Sequence, residues 1–186
     1  MSDVFRRLVA RTLAQQLAPE FDSSCAPFQY ALSTRAGTEA LARTLQATTE
    51  SDPLATIVSI DGMSAYDHVS RRSMLAGLRR SPALAEALPF VRQFYGVAST
   101  YLWEDANGHA HEVGQAEGGE QGDPLMPGLF ALGLHPALVA LRARLRPGEA
   151  LYAYLDDVYL VCRPERAREL FDAARDCLWE HARIRV

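Results

Sequence analysis

The stretch Leu151-Tyr152-Ala153-Tyr154-Leu155-Asp156-Asp157-Val158-Tyr159-Leu160-Val161 constrains this chain more than any other. Two apolar, aromatic-rich runs flank an adjacent pair of aspartates. Each run is short and rich in strand-forming residues, so each reads as a buried strand, with the acid pair at the turn between them. Period-two alternation puts Tyr152 and Tyr154 on one face and Leu151, Ala153 and Leu155 on the other. Two carboxylates at the tip of an apolar hairpin repel each other unless solvated, protonated or bridged by a cation. Asp is also an ordinary turn residue, so from this stretch alone a solvated turn and a cation site both stay open.

The remaining elements follow in order. Apolar residues Val4, Leu8, Leu13 and Leu17 predict an amphipathic helix stopped near Pro19. Residues 21–35 read as irregular, and 37–49 as a second helix broken by Asp52-Pro53. Leu54 to Ile60 reads as a buried strand with Asp61 at its C-terminal end. Helices are expected over 70–78, with Ser70 or Asp67 as cap, and over 84–95. Asn107-Gly108 predicts a hairpin between strands 99–103 and 109–113. After a Gly-rich run to Gly122, Asp123 as N-cap and Pro124 at the first position predict a long helix to about Leu145, bent at His135-Pro136. A last helix fits 166–179, and Ile184-Arg185-Val186 begins to look like a strand. The expected fold is α+β: a small, mostly antiparallel sheet with helices on one face.

The chain has 186 residues, enough for one domain with or without a small lobe, and 48% hydrophobic residues supply a core. No apolar run approaches the ~18 residues of a membrane span. No signal peptide is visible, so an intracellular protein of nucleus or cytoplasm is expected. Cys25, Cys162 and Cys177 are odd in number and lack zinc spacing, which suits reduced thiols. The formal charge is −4, which weighs against a strongly basic nucleic-acid surface. All 19 basic residues are Arg, so chemistry that needs a lysine has to come from elsewhere.

If the strand ending at Asp61 lies beside the Asp156-Asp157 hairpin, three carboxylates meet at one sheet edge. Hard oxygen ligands of that kind select Mg²⁺, or Mn²⁺. Two such ions about 4 Å apart would activate an attacking hydroxyl and stabilise a leaving phosphate oxygen.

Three motifs carry a resemblance. Asp61-Gly62-Met63-Ser64-Ala65-Tyr66-Asp67-His68-Val69 resembles the first catalytic motif of reverse transcriptases. Gln121-Gly122-Asp123-Pro124-Leu125-Met126-Pro127 is similar to their second palm motif, in the form found in non-LTR retrotransposons and group II introns. Tyr154-Leu155-Asp156-Asp157 is similar to their Tyr-x-Asp-Asp motif. Gln29-Tyr30-Ala31-Leu32 with Arg35-Ala36-Gly37-Thr38 is similar, more distantly, to a fingers motif. The resemblance implies a partial fingers region over 1–52 and a palm over 53–186. It implies an RNA-directed DNA polymerase that adds deoxynucleoside triphosphates to a DNA or RNA primer on an RNA template. Asp61 and Asp156 match the main metal ligands, Asp157 an assisting acid, and Gly62 a backbone carbonyl ligand. Tyr66 matches the gate that disfavours a 2′-hydroxyl. Gln121 and Gly122 match the nucleotide-contact loop, Tyr154 the primer-end position, and Arg35 a triphosphate contact. Asp123 is expected to act as a helix cap.

Departures from the pattern shape further expectations. Met126 stands where the family usually has serine. The fourth palm motif, with its lysine, and the thumb should follow Val186, so the chain reads as a fragment of a longer polyprotein or a decayed transposon copy. The rival readings are a catalytically inactive remnant that binds nucleic acid and a palm-type nucleotidyl cyclase. The latter rests on Gly118-Gly119-Glu120, which should then join two strands.

Overall fold

A computed structural model describes residues 2–186, with side chains from residue 4 onward. Three antiparallel strands form the central sheet: β1 (Thr56–Ile60), β4 (Ala150–Tyr154) and β5 (Asp157–Cys162), in the order β1-β5-β4. Alternation decides which face is covered. Leu151, Ala153, Val158 and Leu160 are buried, while Tyr152, Tyr154 and Tyr159 are only partly so. The buried face packs on α8 (Met126–Arg142), whose Leu129, Phe130, Leu134, Leu138 and Leu141 lose essentially all exposure. Full burial of each such side chain contributes about 1.5–3 kcal/mol. Helices α2 (Ala18–Cys25), α5 (Arg71–Arg80) and α9 (Pro164–Ala182) pack around α8, and α1 (Ser2–Gln16) packs against α2. A fourth segment closes the outer edge of β4. The Tyr30 amide donates to the Ala153 carbonyl and the Ala153 amide to the Phe28 carbonyl, both at 2.9 Å.

The α+β architecture matches the expectation, with several local differences. Helix α1 stops at Gln16, before Pro19 as expected, but Pro19 itself stands in the first turn of a second helix, α2, where a missing N–H costs nothing. The expected buried strand before Asp61 is instead an edge strand, with Ile57 and Ser59 exposed and Ile60 buried. The single helix over 84–95 is split into α6 (Pro82–Ala85) and α7 (Leu88–Tyr95), consistent with Pro89 opening a new first turn. Helix α8 starts at Met126 and stops at Arg142, and Pro136 lies within it. The remaining elements, α3 (Gly37–Ser51), α4 (Ala65–His68) and the hairpin β2 (Ser99–Glu104) with β3 (Ala110–Gln115), fall close to their expected places. Ser70 caps α5 by accepting from the Ser73 amide. All three cysteines are free and buried, and burial pushes the Cys25 thiol up to about 12. Among the described residues no helix is long and apolar enough to cross a membrane.

The Gly-rich run has a packing reason. Gly118 has φ +68°, and a Cβ there would lie 2.3 Å from the Asp67 carbonyl atoms. Its amide donates to the Val69 carbonyl, and the Gly119 amide to the Tyr66 carbonyl. Gly118-Gly119 therefore seats the loop leaving β3 directly on α4, and leads to α8 rather than to a second strand. Gly118→Ala combines a left-handed backbone cost of about 1–2 kcal/mol with backbone overlap. Its unfolding midpoint in urea is expected to fall by more than that cost alone.

Candidate active site

The turn between β4 and β5 is shifted by one residue from its expected place. Tyr154 pairs with Asp157, so the two loop residues are Leu155 and Asp156, and Asp157 already belongs to β5. Leu155 adopts φ +51°, a conformation a branched side chain rarely takes. Buried Gln29 compensates: its Oε1 accepts from the Leu155 amide at 2.9 Å and its Nε2 donates to the Leu155 carbonyl at 3.2 Å. One side chain thus satisfies both backbone groups of the strained residue beside Asp156.

The sheet brings the three acids together. β1 pairs with β5 so that Ile60 faces Val158; continuing that register brings Asp61 opposite Asp157. Burial, and then the charges of Asp156 and Asp61, raise the Asp157 carboxyl above its ordinary value. None of the three is ion-paired to an arginine among the described residues. Nor is any group of three or more His, Cys, Asp or Glu side chains among those residues gathered as a metal cage. The donor set, exposed or half-buried carboxylates with overlapping fields, has the chemistry that a hard divalent cation takes, but the side chains as placed do not converge on one point.

A cleft of about 490 Å³ opens beside the turn. Its walls include Asp156, Gly62, Tyr66, Gln121, Gly122 and Met126. Tyr66 stands on α4 with its ring stacked on Phe130 of α8, centroids 4.6 Å apart and planes 6° from parallel. Burial, and then the Asp156 charge, push its hydroxyl up to about 12, so it remains a neutral donor at physiological pH. Gly62 is buried, and a Cβ there would lie 2.7 Å from the Ile184 side chain. The Met63 amide donates to the Arg185 carbonyl at 2.8 Å, which fastens the segment after Asp61 to the last residues of the chain. Met126 is buried and packs against the bare Gly119 backbone, the space a serine would leave empty.

The family model described as reverse transcriptase (RNA-dependent DNA polymerase) matches residues 2–183. The chain belongs to the reverse transcriptase family. No curated protein matches it by sequence. Among solved structures, apo telomerase from Candida tropicalis aligns with a TM-score of 0.59 at 9% identity, over 90% of this chain and 32% of that one. A form of that telomerase truncated from its C-terminal domain aligns with a TM-score of 0.59 at 11% identity, over 96% and 38%. Telomerase from Candida albicans, in complex with a fragment of telomeric RNA, gives 0.55 at 15% identity, over 91% and 30%. These identities speak to the fold alone, and the chain spans about a third of the length of those proteins.

Within this reverse transcriptase fold, the expected site residues are only partly brought to one place. Asp156, Gly62, Tyr66, Gln121 and Gly122 share the cleft. Asp61 and Asp157 are not among the cleft walls; sheet register sets them opposite each other, with Asp157 next to Asp156 in the chain. Tyr154 lies on β4, close to the position a Cβ of Gly37 would take. Arg35 is exposed and stands outside the cleft walls. Asp123 precedes α8 and makes the bond of a cap at its entry turn, but it does more than cap. Its Oδ1 accepts from the Leu125 amide, and its buried Oδ2 accepts from the Tyr95 hydroxyl at 2.6 Å and from Arg6 at 3.1 Å. Sequence reasoning missed Gln29 and Phe130 as site residues. Gln29 lay within the fingers-like motif, which was the one available signal. Phe130 was hidden in a uniformly apolar helix.

Proposed function

We propose that this chain is the palm, with part of the fingers, of an RNA-directed DNA polymerase. A primer 3′-hydroxyl attacks the α-phosphate of a deoxynucleoside triphosphate. A new O–P bond forms and pyrophosphate leaves. The observation that supports this reading most is that Asp156, Gly62, Tyr66, Gln121 and Gly122, drawn from three separate motifs, line one cleft. Asp61, Asp156, Asp157 and the Gly62 carbonyl would hold Mg²⁺ or Mn²⁺. A bound divalent cation supplies charge neutralisation and a more acidic attacking hydroxyl. The chain's own residues position the reactants. Tyr66, backed by Phe130, lies under the sugar and fills the space of a 2′-hydroxyl. Gln121 and Gly122 meet the incoming nucleotide. Tyr154 matches the primer-end position, and Arg35, which lies outside the cleft walls, matches a triphosphate contact. The form of the second motif favours a retrotransposon or group II intron type.

The test is addition of one nucleotide to a primer on RNA templates that differ in the first copied base. The expected product follows the template, disappears with a chelator, and returns with Mg²⁺ or Mn²⁺. Untemplated addition, or none, would sink the reading. Tyr66→Ala is expected to raise ribonucleotide incorporation relative to deoxynucleotide by about tenfold or more, the scale of losing one shape-selective contact. Unchanged sugar selectivity would refute the gate. A second reading, a catalytically silent nucleic-acid-binding remnant, draws on the absence of a gathered metal cage among the described residues. It predicts template binding with no product under any divalent cation.

A further inference from the structure

Gln121 and Gly122 are exposed, yet the residues on either side of them are pinned. Arg6 on α1 donates to Glu120 Oε2 at 2.7 Å and to Asp123 Oδ2 at 3.1 Å. Its guanidinium lies 4.1 Å from the Phe94 ring centroid and 5.7 Å from that of Tyr95. The Tyr95 hydroxyl on α7 donates to Asp123 Oδ2 at 2.6 Å and accepts from the Glu120 amide at 3.4 Å. Arg71, on α5, lies 5.4 Å from the same Tyr95 ring and donates to the Gly118 carbonyl at 2.8 Å. The neighbouring Arg7 reaches the Gly122 carbonyl at 3.3 Å. Neither Arg6 nor Tyr95 lines the cleft beside the β4–β5 turn.

We propose that Arg6 and Tyr95 are positioning residues that set nucleotide affinity by anchoring the Gln121-Gly122 loop from behind. The inference rests on the polymerase reading for what the loop binds. Two effects act in the same direction. Both flanks of the two-residue segment are tied to α1 and α7, so its backbone is held ready before a ligand arrives, which lowers the ordering cost of binding. Arg6 also sits between two carboxylates, Glu120 and Asp123. Without it, both would add uncompensated negative charge beside a cleft that receives a triphosphate. Burial and Asp123 raise the Tyr95 hydroxyl above its ordinary value, so it stays a donor.

The test compares wild type, Arg6→Ala, Arg6→Lys and Tyr95→Phe. Each is titrated with a non-hydrolysable deoxynucleoside triphosphate and Mg²⁺ in the presence of primer–template. Amide hydrogen exchange is followed across 119–125 and 151–162. Arg6→Ala is expected to weaken nucleotide Kd by about tenfold, the scale of a charge-assisted hydrogen bond. Exchange should accelerate over 119–125 and not over 151–162. Arg6→Lys keeps the charge without the fork and recovers part of the affinity. Tyr95→Phe keeps the ring packing and gives a smaller loss with the same local exchange. In turnover, KM rises while kcat holds. Equal Kd in wild type and Arg6→Ala, or faster exchange over 151–162 as well, overturns the anchoring. A wild type that binds nucleotide but transfers none overturns the catalytic reading and leaves the anchoring supported or refuted by Kd and exchange alone.

Discussion

Asp61→Asn and Asp156→Asn are each expected to slow nucleotide addition by on the order of 10³, the equivalent of several kcal/mol of lost charge stabilisation. Asparagine keeps the size and a carbonyl oxygen but loses the charge that draws a divalent cation. The fold should survive both changes. Neither carboxylate is ion-paired to an arginine among the described residues. Asp61 is exposed and Asp156 half-buried, so no core contact is lost. Far-ultraviolet dichroism and the melting temperature, read beside single-turnover rates, separate loss of chemistry from loss of structure. Asp157→Asn should slow addition less, since the role proposed for Asp157 is that of an assisting acid. An Asp61→Asn variant that works at the wild-type rate would remove Asp61 from the site.

Gln29→Met is expected to have the next largest effect, and through geometry rather than charge. Methionine keeps the volume of the buried side chain but cannot accept from the Leu155 amide or donate to its carbonyl. Leaving such groups without partners costs about 1–3 kcal/mol, and Leu155 then holds φ +51° with less to compensate the strain. The turn relaxes and carries Asp156 with it. A displacement on the order of 1 Å at a reacting centre costs about 10²-fold in rate. Stability and rate should therefore fall together, and exchange should quicken at 154–157. Gln29→Glu keeps the acceptor for the Leu155 amide and should fall in between in stability. Wild-type stability and rate in Gln29→Met would show that the turn needs no clamp.

The contrast between Asp156 and Gln29 explains what could be read in advance. Strand alternation around Asp156, the Asn107-Gly108 hairpin and the Asp123-Pro124 helix start are local signals, and each found its element. The turn itself was placed one residue late. Asp tolerates turn conformations better than Leu, so local preference puts the turn on the acid pair. The override is Gln29, 126 positions away in sequence, and no periodicity announces such a contact. Asp123-Pro124 shows the same limit. Its local chemistry is that of a helix start, and one carboxylate oxygen does accept from the Leu125 amide; that the other is held by Arg6 and Tyr95, far away in sequence, could not be read. Phe130 under Tyr66 was unreadable for another reason: within a helix buried nearly all round, no position is marked as facing the site.

The acids of the β4–β5 turn are proposed to catalyse templated nucleotide addition. The most direct test is single-nucleotide extension of a primer on an RNA template with Mg²⁺, by wild type and by the Asp156→Ala, Asp157→Ala double variant in parallel. The expected result is template-directed product from the wild type and a loss of at least about 10³-fold in the double variant. Equal extension by the two proteins would contradict it.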